Sequence, residues 1–171
     1  PSKLAGEAYC HAYFASFGIN TVALRFSNVY GPLSGKKGSV VAKFLTRAFG
    51  GQPLVINGDG GQTRDFIYSE DLVRAVTAAA GLDKGGELFQ IATARETSIK
   101  ELADLLLPIL KEEAGIIPSL EYGPELTGDV RRNYAEIDKA RTVLGWSPEM
   151  GLKQGLRHTV RWFVQKQSVS S

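Results

Sequence analysis

The sequence predicts an α/β fold built on parallel strands. Three observations carry this expectation. Residues 22–26 form a short, mostly apolar strand, as one covered on both faces requires, and 54–56 and 87–92 read as further short strands. Stretches with apolar residues at helical spacing separate them. Glycines punctuate the boundaries, and strand alternates with helix along the chain.

Taken in order, residues 2–17 read as a helix with Leu4, Ala8, Cys10, His11 and Phe14 on a broadly apolar face, stopped by Gly18. A strand over 22–26 runs into a polar turn ending at Gly31-Pro32. Residues 40–49 form a second helix, closed by Gly50-Gly51, and 54–56 a short strand. Residues 65–68 are extended. Ser69 reads as the N-cap of a helix through Ala80, with Glu70 and Asp71 favouring the positive end of its dipole. After the strand over 87–92, Ser98 and Glu101 form a capping box before Leu102, Leu105, Leu106 and Leu110, with Pro108 expected to kink or split the helix. A candidate edge strand over 118–122, a short helix over 137–144 and an amphipathic helix over 152–164 complete the chain, with residues 165–171 expected to fray.

The 171 residues suit one ordinary domain, and 43% apolar content supports a core. Twenty basic residues stand against 18 acidic ones, so the charge gives no argument for nucleic acid or an anionic membrane as partner. No apolar run approaches the ~18 residues of a membrane span. One cysteine, Cys10, suits a reducing cytoplasm and reads as a small core residue of its helix. His11 and His158 lack metal-ligand neighbours, so no metal is expected. Neither a G-x-G-x-x-G fingerprint nor a G-x-S-x-G elbow is present.

Two segments carry chemistry. In Leu24-Arg25-Phe26-Ser27-Asn28-Val29-Tyr30-Gly31-Pro32, an amide stands at the end of an apolar strand, where open α/β sheets bind ligands. In Gly58-Asp59-Gly60-Gly61-Gln62-Thr63-Arg64-Asp65-Phe66, a glycine-rich turn precedes a guanidinium whose planar fork matches phosphate oxygens. A surface ion pair of Arg64 with Asp65 or Asp71 is the plainer alternative for that residue. A third block runs from Gly128-Asp129-Val130-Arg131-Arg132-Asn133 to Leu144-Gly145-Trp146-Ser147-Pro148.

These blocks, in this order, resemble the C-terminal portion of an extended short-chain dehydrogenase/reductase of the NAD-dependent nucleotide-sugar epimerase and dehydratase group, UDP-glucose 4-epimerases above all. The resemblance covers Ser2 to about Phe163. It implies the last part of a Rossmann-type parallel sheet (residues 1–31 and 65–96) and a smaller substrate-binding domain (residues 32–64 and 97–171), with the N-terminal NAD-binding half absent. It makes Lys3 the lysine that follows a catalytic tyrosine by four positions; the start at Pro1 reads as a cut that leaves that tyrosine outside. Phe26 and Ser27, with Lys3, would face the nicotinamide end of NAD. The resemblance implies that Asn28 and Arg64 hold the substrate diphosphate, that Val55 and Asn57 read a pyrimidine, that Ser39, Val40 and Phe44 flank nucleotide and sugar, and that Asp129 accepts from the ribose. The family often has an arginine where this chain has Leu126, which either loosens the clamp on a uridine diphosphate or shifts the anionic load to Arg64 and Arg131.

The expected parent reaction is hydride transfer at sugar C4 with NAD as cofactor, with a 4,6-dehydratase or decarboxylase as one alternative and a non-catalytic nucleotide-sugar binding module as another. The chain by itself is expected to be inactive and to bind no NAD. A cytoplasmic homodimer or larger species is expected, since the helix over 2–17 would leave Tyr9, Tyr13 and Phe14 partly uncovered. The decisive structural expectation is that Asn28 and Arg64 converge on one pocket.

Overall fold

The structure, a computed structural model, describes residues 2–36 and 38–169. In chain order the first elements are α1 (Ser2–Phe17), β1 (Val22–Phe26), β2 (Asn28–Tyr30), α2 (Val40–Phe49), β3 (Leu54–Asn57), β4 (Thr63–Arg64) and β5 (Phe66–Tyr68). There follow α3 (Ser69–Ala80), β6 (Glu87–Ile91), β7 (Thr97–Ser98), α4 (Ile99–Ala114), β8 (Leu120–Gly123), α5 (Asp138–Leu144) and α6 (Leu152–Val169). Among the described residues the strands pair two by two: β1 with β6, β2 with β5 and β3 with β8 in parallel, and β4 with β7 antiparallel.

The strand expected over 22–26 is β1, and a second strand, β2, stands where a polar turn was expected. Ser27 N–H still donates to Ile91 O at 3.1 Å, alongside β6, whereas Asn28 N–H donates to Asp65 O at 2.9 Å, beside β5. The chain thus passes from one parallel pair to another between these two residues. Divergence of neighbouring strands opens a crevice at their carboxyl ends, which is where α/β folds take ligands. Asp65 is fully buried in the fork. It accepts from Ser27 Oγ at 3.2 Å, from Thr93 N–H at 2.9 Å and from Thr93 Oγ1 at 2.8 Å, so one carboxylate fastens β1, β5 and the turn after β6.

Two apolar clusters hold the elements. In one, α2, β3, α4 and α6 close around Phe44, Leu45, Leu54, Leu102, Leu106 and Leu156, with Tyr30 and Tyr68 reaching in from β2 and β5. The Tyr30 and Tyr68 rings meet edge-on at 5.6 Å between centroids, and burial pushes the Tyr30 phenol well up. In the other, Ile67, Ala75, Phe89 and Ile91 pack with Ile137, Ala140 and Trp146. Trp146 Nε1–H donates to Asp71 O at 2.9 Å, and the buried Asp71 carboxylate accepts from Glu149 N–H at 3.1 Å and Met150 N–H at 3.0 Å. The Trp146-Ser147-Pro148 block is therefore a clasp onto α3, and Asp71 does more than favour a helix dipole.

Several local expectations change. Ser69 is the first residue of α3, and the flanking residue Tyr68 makes no side-chain cap. Pro108 neither splits nor ends α4, because Leu106, Ile109 and Leu110 around it are buried and hold the helix together. Ser98 Oγ accepts from Glu101 N–H at 3.0 Å, one half of the capping box. Helix α6 continues past residue 164 to Val169; Ser170 and Ser171 lie outside the described residues. Cys10 is half-buried, on a helix that buries no residue. His11 is exposed, and His158 packs edge-on to Tyr68 at 6.2 Å.

Candidate functional site

Helix α2 buries Val41, Phe44, Leu45 and Ala48, and Val40, Lys43 and Arg47 run along the edge that Phe44 borders. That edge, the end of β3 and the start of β2 enclose a cavity of ≈ 380 Å³. Asn28, Ser39, Val40, Phe44, Val55, Asn57, Arg64 and Asp129 all line it. Asn28 and Arg64 thus converge on one pocket, and all eight residues singled out from sequence for a nucleotide-sugar are gathered there.

A second cavity, of ≈ 340 Å³, shares Asn28 and Ser39 with the first and is lined by Lys3, Phe26 and Ser27, together with Gln90, Asn133 and Ala135. Ser39 therefore stands where the two cavities meet. Its Oγ is buried without a hydrogen-bond partner among the described residues, and it gives α2 no side-chain cap. Such an orphaned hydroxyl is costly to bury, and a ligand at the junction would satisfy it. A third cavity, of ≈ 420 Å³, between Thr93–Thr97 and Ser147–Leu152, contains none of these residues.

The Arg64 side chain is only 15% exposed. It forms an ion pair with Asp129 and donates to Thr63 O at 2.7 Å and Val130 O at 2.5 Å. The ion-pair partner is thus neither Asp65 nor Asp71. Asp65 is turned into the strand fork and Asp71 is held by Arg74 at 2.6 Å. Arg64 also draws the exposed 129–131 segment onto the cavity rim.

Two expectations about anion binding are corrected. The glycine-rich turn does not offer its amides to the cavity. Gly61 N–H is taken by Asp59 Oδ1 at 2.8 Å, while Gly60 O and Gln62 O accept from Lys100 and Ile99 N–H at 3.0 and 3.1 Å. The turn caps α4, and a Cβ on Gly60, whose φ is +73°, would lie 2.9 Å from Ile56 Cγ2. Arg131 does not share Arg64's load. It grips both Asp59 carboxylate oxygens at 2.9 Å, outside the cavity, and with the Gly61 amide holds that carboxyl down at about 2. Sequence reasoning missed Lys43, Arg47 and Gln62 on the cavity wall. The first two follow Val40 by three and seven positions, a helical spacing that would have found them.

The comparisons with known proteins agree with this geometry. Residues 1–92 match the profile of the NAD dependent epimerase/dehydratase family. The chain belongs to this family. A putative UDP-glucose 4-epimerase of Methanocaldococcus jannaschii is 40% identical over 163 residues, which make up 94% of this chain and 51% of that protein. A human dTDP-D-glucose 4,6-dehydratase is 32% identical over 95% of the chain and 47% of its own length. Among solved structures, the Thermotoga maritima UDP-glucose 4-epimerase with UDP-glucose superposes with a TM-score of 0.87 at 36% identity, covering 96% of this chain and 52% of that one. A Bacillus cereus UDP-glucuronic acid 4-epimerase in complex with UDP-glucuronic acid and NAD gives a TM-score of 0.80 at 32% identity, covering 96% and 51%. The α/β fold with parallel strand pairs is the Rossmann-type fold of these epimerases. The chain spans about half the length of the curated relatives it matches.

Proposed function

We propose that this chain forms the nucleotide-sugar side of an NAD-dependent nucleotide-sugar 4-epimerase, with a UDP-sugar as substrate, and corresponds to the C-terminal half of such an enzyme. The observation that carries the reading is the gathering of Asn28, Arg64 and six further residues around one cavity at a strand fork. In this role Asn28 and Arg64 donate to the diphosphate, Ser39 satisfies its orphaned hydroxyl on the ligand, Phe44 and Val55 supply apolar contact to the base, and Asp129 accepts from the ribose.

The adjoining cavity fits one end of NAD. Lys3 would hold the nicotinamide ribose through its ammonium, with Phe26 and Ser27 beside the ring. When bound, the dinucleotide supplies the hydride acceptor for sugar C4. No glycine-rich phosphate loop of G-x-G-x-x-G spacing occurs in the 171 residues, so they fit only that end of the dinucleotide. We therefore expect no epimerase turnover and no measurable NAD affinity from the chain as given. A 4,6-dehydratase parent is the second reading, favoured by the human relative. We also place the protein in the cytoplasm as a homodimer associating through the exposed Tyr9 and Tyr13 of α1. No helix among the described residues is long and apolar enough to cross a membrane.

Calorimetric titration with UDP-glucose tests the reading. It predicts saturable one-to-one binding that Arg64→Met weakens ~10-fold or more, as loss of a charge-assisted contact does. Absence of binding, or binding indifferent to Arg64, overturns it.

A further inference from the structure

We infer that Lys43 is the cation that neutralises the substrate's diphosphate, a role that rests on the nucleotide-sugar reading and adds a residue to it. Charge accounting around the cavity leads there. Four charged side chains line it: Lys43, Arg47, Arg64 and Asp129. Arg64 and Asp129 form an ion pair with each other, so together they present no net charge to a ligand. Arg64 also spends hydrogen bonds on Thr63 O and Val130 O, which fixes its fork in place as an oriented donor. Arg47 donates its Nε–H to Pro53 O at 2.6 Å, which ties its guanidinium to the α2–β3 connection. Arg131, the next nearest cation, is held bidentately by Asp59 beyond the cavity.

Lys43 differs from all three. Among the described residues its ammonium has no hydrogen bond and no ion pair. It stands one helical turn beyond Ser39 and Val40, on the same edge of α2 as Phe44, so its stem starts at the cavity wall. A lysine ammonium is a compact charge on a flexible stem with three donors, suited to following phosphate oxygens without a fixed fork. A sugar-nucleotide diphosphate carries two negative charges. With the Arg64–Asp129 pair electrically balanced, the positive charge on the wall comes from α2, where Arg47 is tied to Pro53 O and Lys43 is the cation left free to follow the phosphates.

The test compares UDP with uridine on the 171-residue chain by isothermal titration, for the wild type, Lys43→Met and Lys43→Arg. Lys43→Met is expected to weaken UDP ~10-fold or more while leaving uridine within about 2-fold, and Lys43→Arg to restore most of the difference. Lys43 is exposed, so none of these variants disturbs the core. Equal weakening of UDP and uridine by Lys43→Met would assign the residue to packing and overturn the inference. Unchanged UDP affinity in Lys43→Met overturns it as well, while leaving the nucleotide-sugar reading intact. A wild-type chain that binds neither compound overturns the reading, and the inference with it.

Discussion

Helices α1 and α4 are each 16 residues long, each was legible as an amphipathic helix, and the molecule treats them in opposite ways. Six residues of α4 are buried: Ile99, Leu102, Ala103, Leu106, Ile109 and Leu110. On α1 none is, and Leu4, Tyr9, Tyr13 and Phe17 face outward. What attaches α1 is mostly polar: Arg25 grips Glu7 at 2.7 and 2.5 Å, Thr21 Oγ1 donates to Cys10 O at 2.7 Å, and the Phe14 ring lies over Gly85 and Gly86. Apolar spacing states which face a helix needs covered. Whether the chain in hand supplies the cover is a property of the whole fold, and α1 shows the two can part.

The largest expected effect comes from testing that contrast directly. Leu106→Ala in α4 should cost about 2–5 kcal/mol, since it opens a cavity in a closed core. Leu4→Ser in α1 should stay within about 0.5 kcal/mol, as exposed substitutions do. Denaturant unfolding of both variants measures this, and similar losses would break the comparison.

Next in size is Gly155→Ala in α6. A Cβ there would overlap the Tyr30 ring, with Cζ at 2.9 Å, and would come 3.0 Å from Tyr68 Cδ2. This crowding on the α4–α6 side should cost about 1–3 kcal/mol by the same measurement, because a packed core yields little.

The smallest effect sharpens the other side. Glu87, beside the glycines that seat Phe14, bonds to Lys139 at 2.7 Å and also to Lys84, and these ammonium groups pull its carboxyl from 4.5 to about 2. A carboxyl depressed on folding adds stability above its unfolded value, and that stability is lost as pH falls through the folded one. The melting temperature of the wild type should therefore decline more steeply between pH 4.5 and pH 2 than that of Glu87→Gln. Parallel curves would show that this ionic tie contributes nothing to fastening α5 to β6.

Much of the fold was readable because its signals are local. Gly18 ends α1 at a φ of +65°, and Ser98 caps α4. The site residues were named because short blocks resemble those of the family, and Asn28 and Arg64 do line one cavity. What stayed hidden depends on distant partners. The change of strand pairing at Ser27–Asn28 needs β5 and β6 to be in place. Asp65 and Asp71 look like ordinary surface carboxylates in the sequence, yet each closes a junction from a buried position. The glycines near Arg64 read as an anion grip because a turn that caps a helix almost 40 residues along uses the same residue types. Lys43 was overlooked because a lone lysine on a helix is unremarkable until its edge is known to face a cavity.

A crystal structure of the chain soaked with UDP tests the account most directly. The diphosphate should lie within hydrogen-bonding distance of Asn28 and Arg64, in the cavity between α2 and β3. UDP seated instead between Arg95 and Arg141, in the cavity that shares no residue with this one, would contradict it.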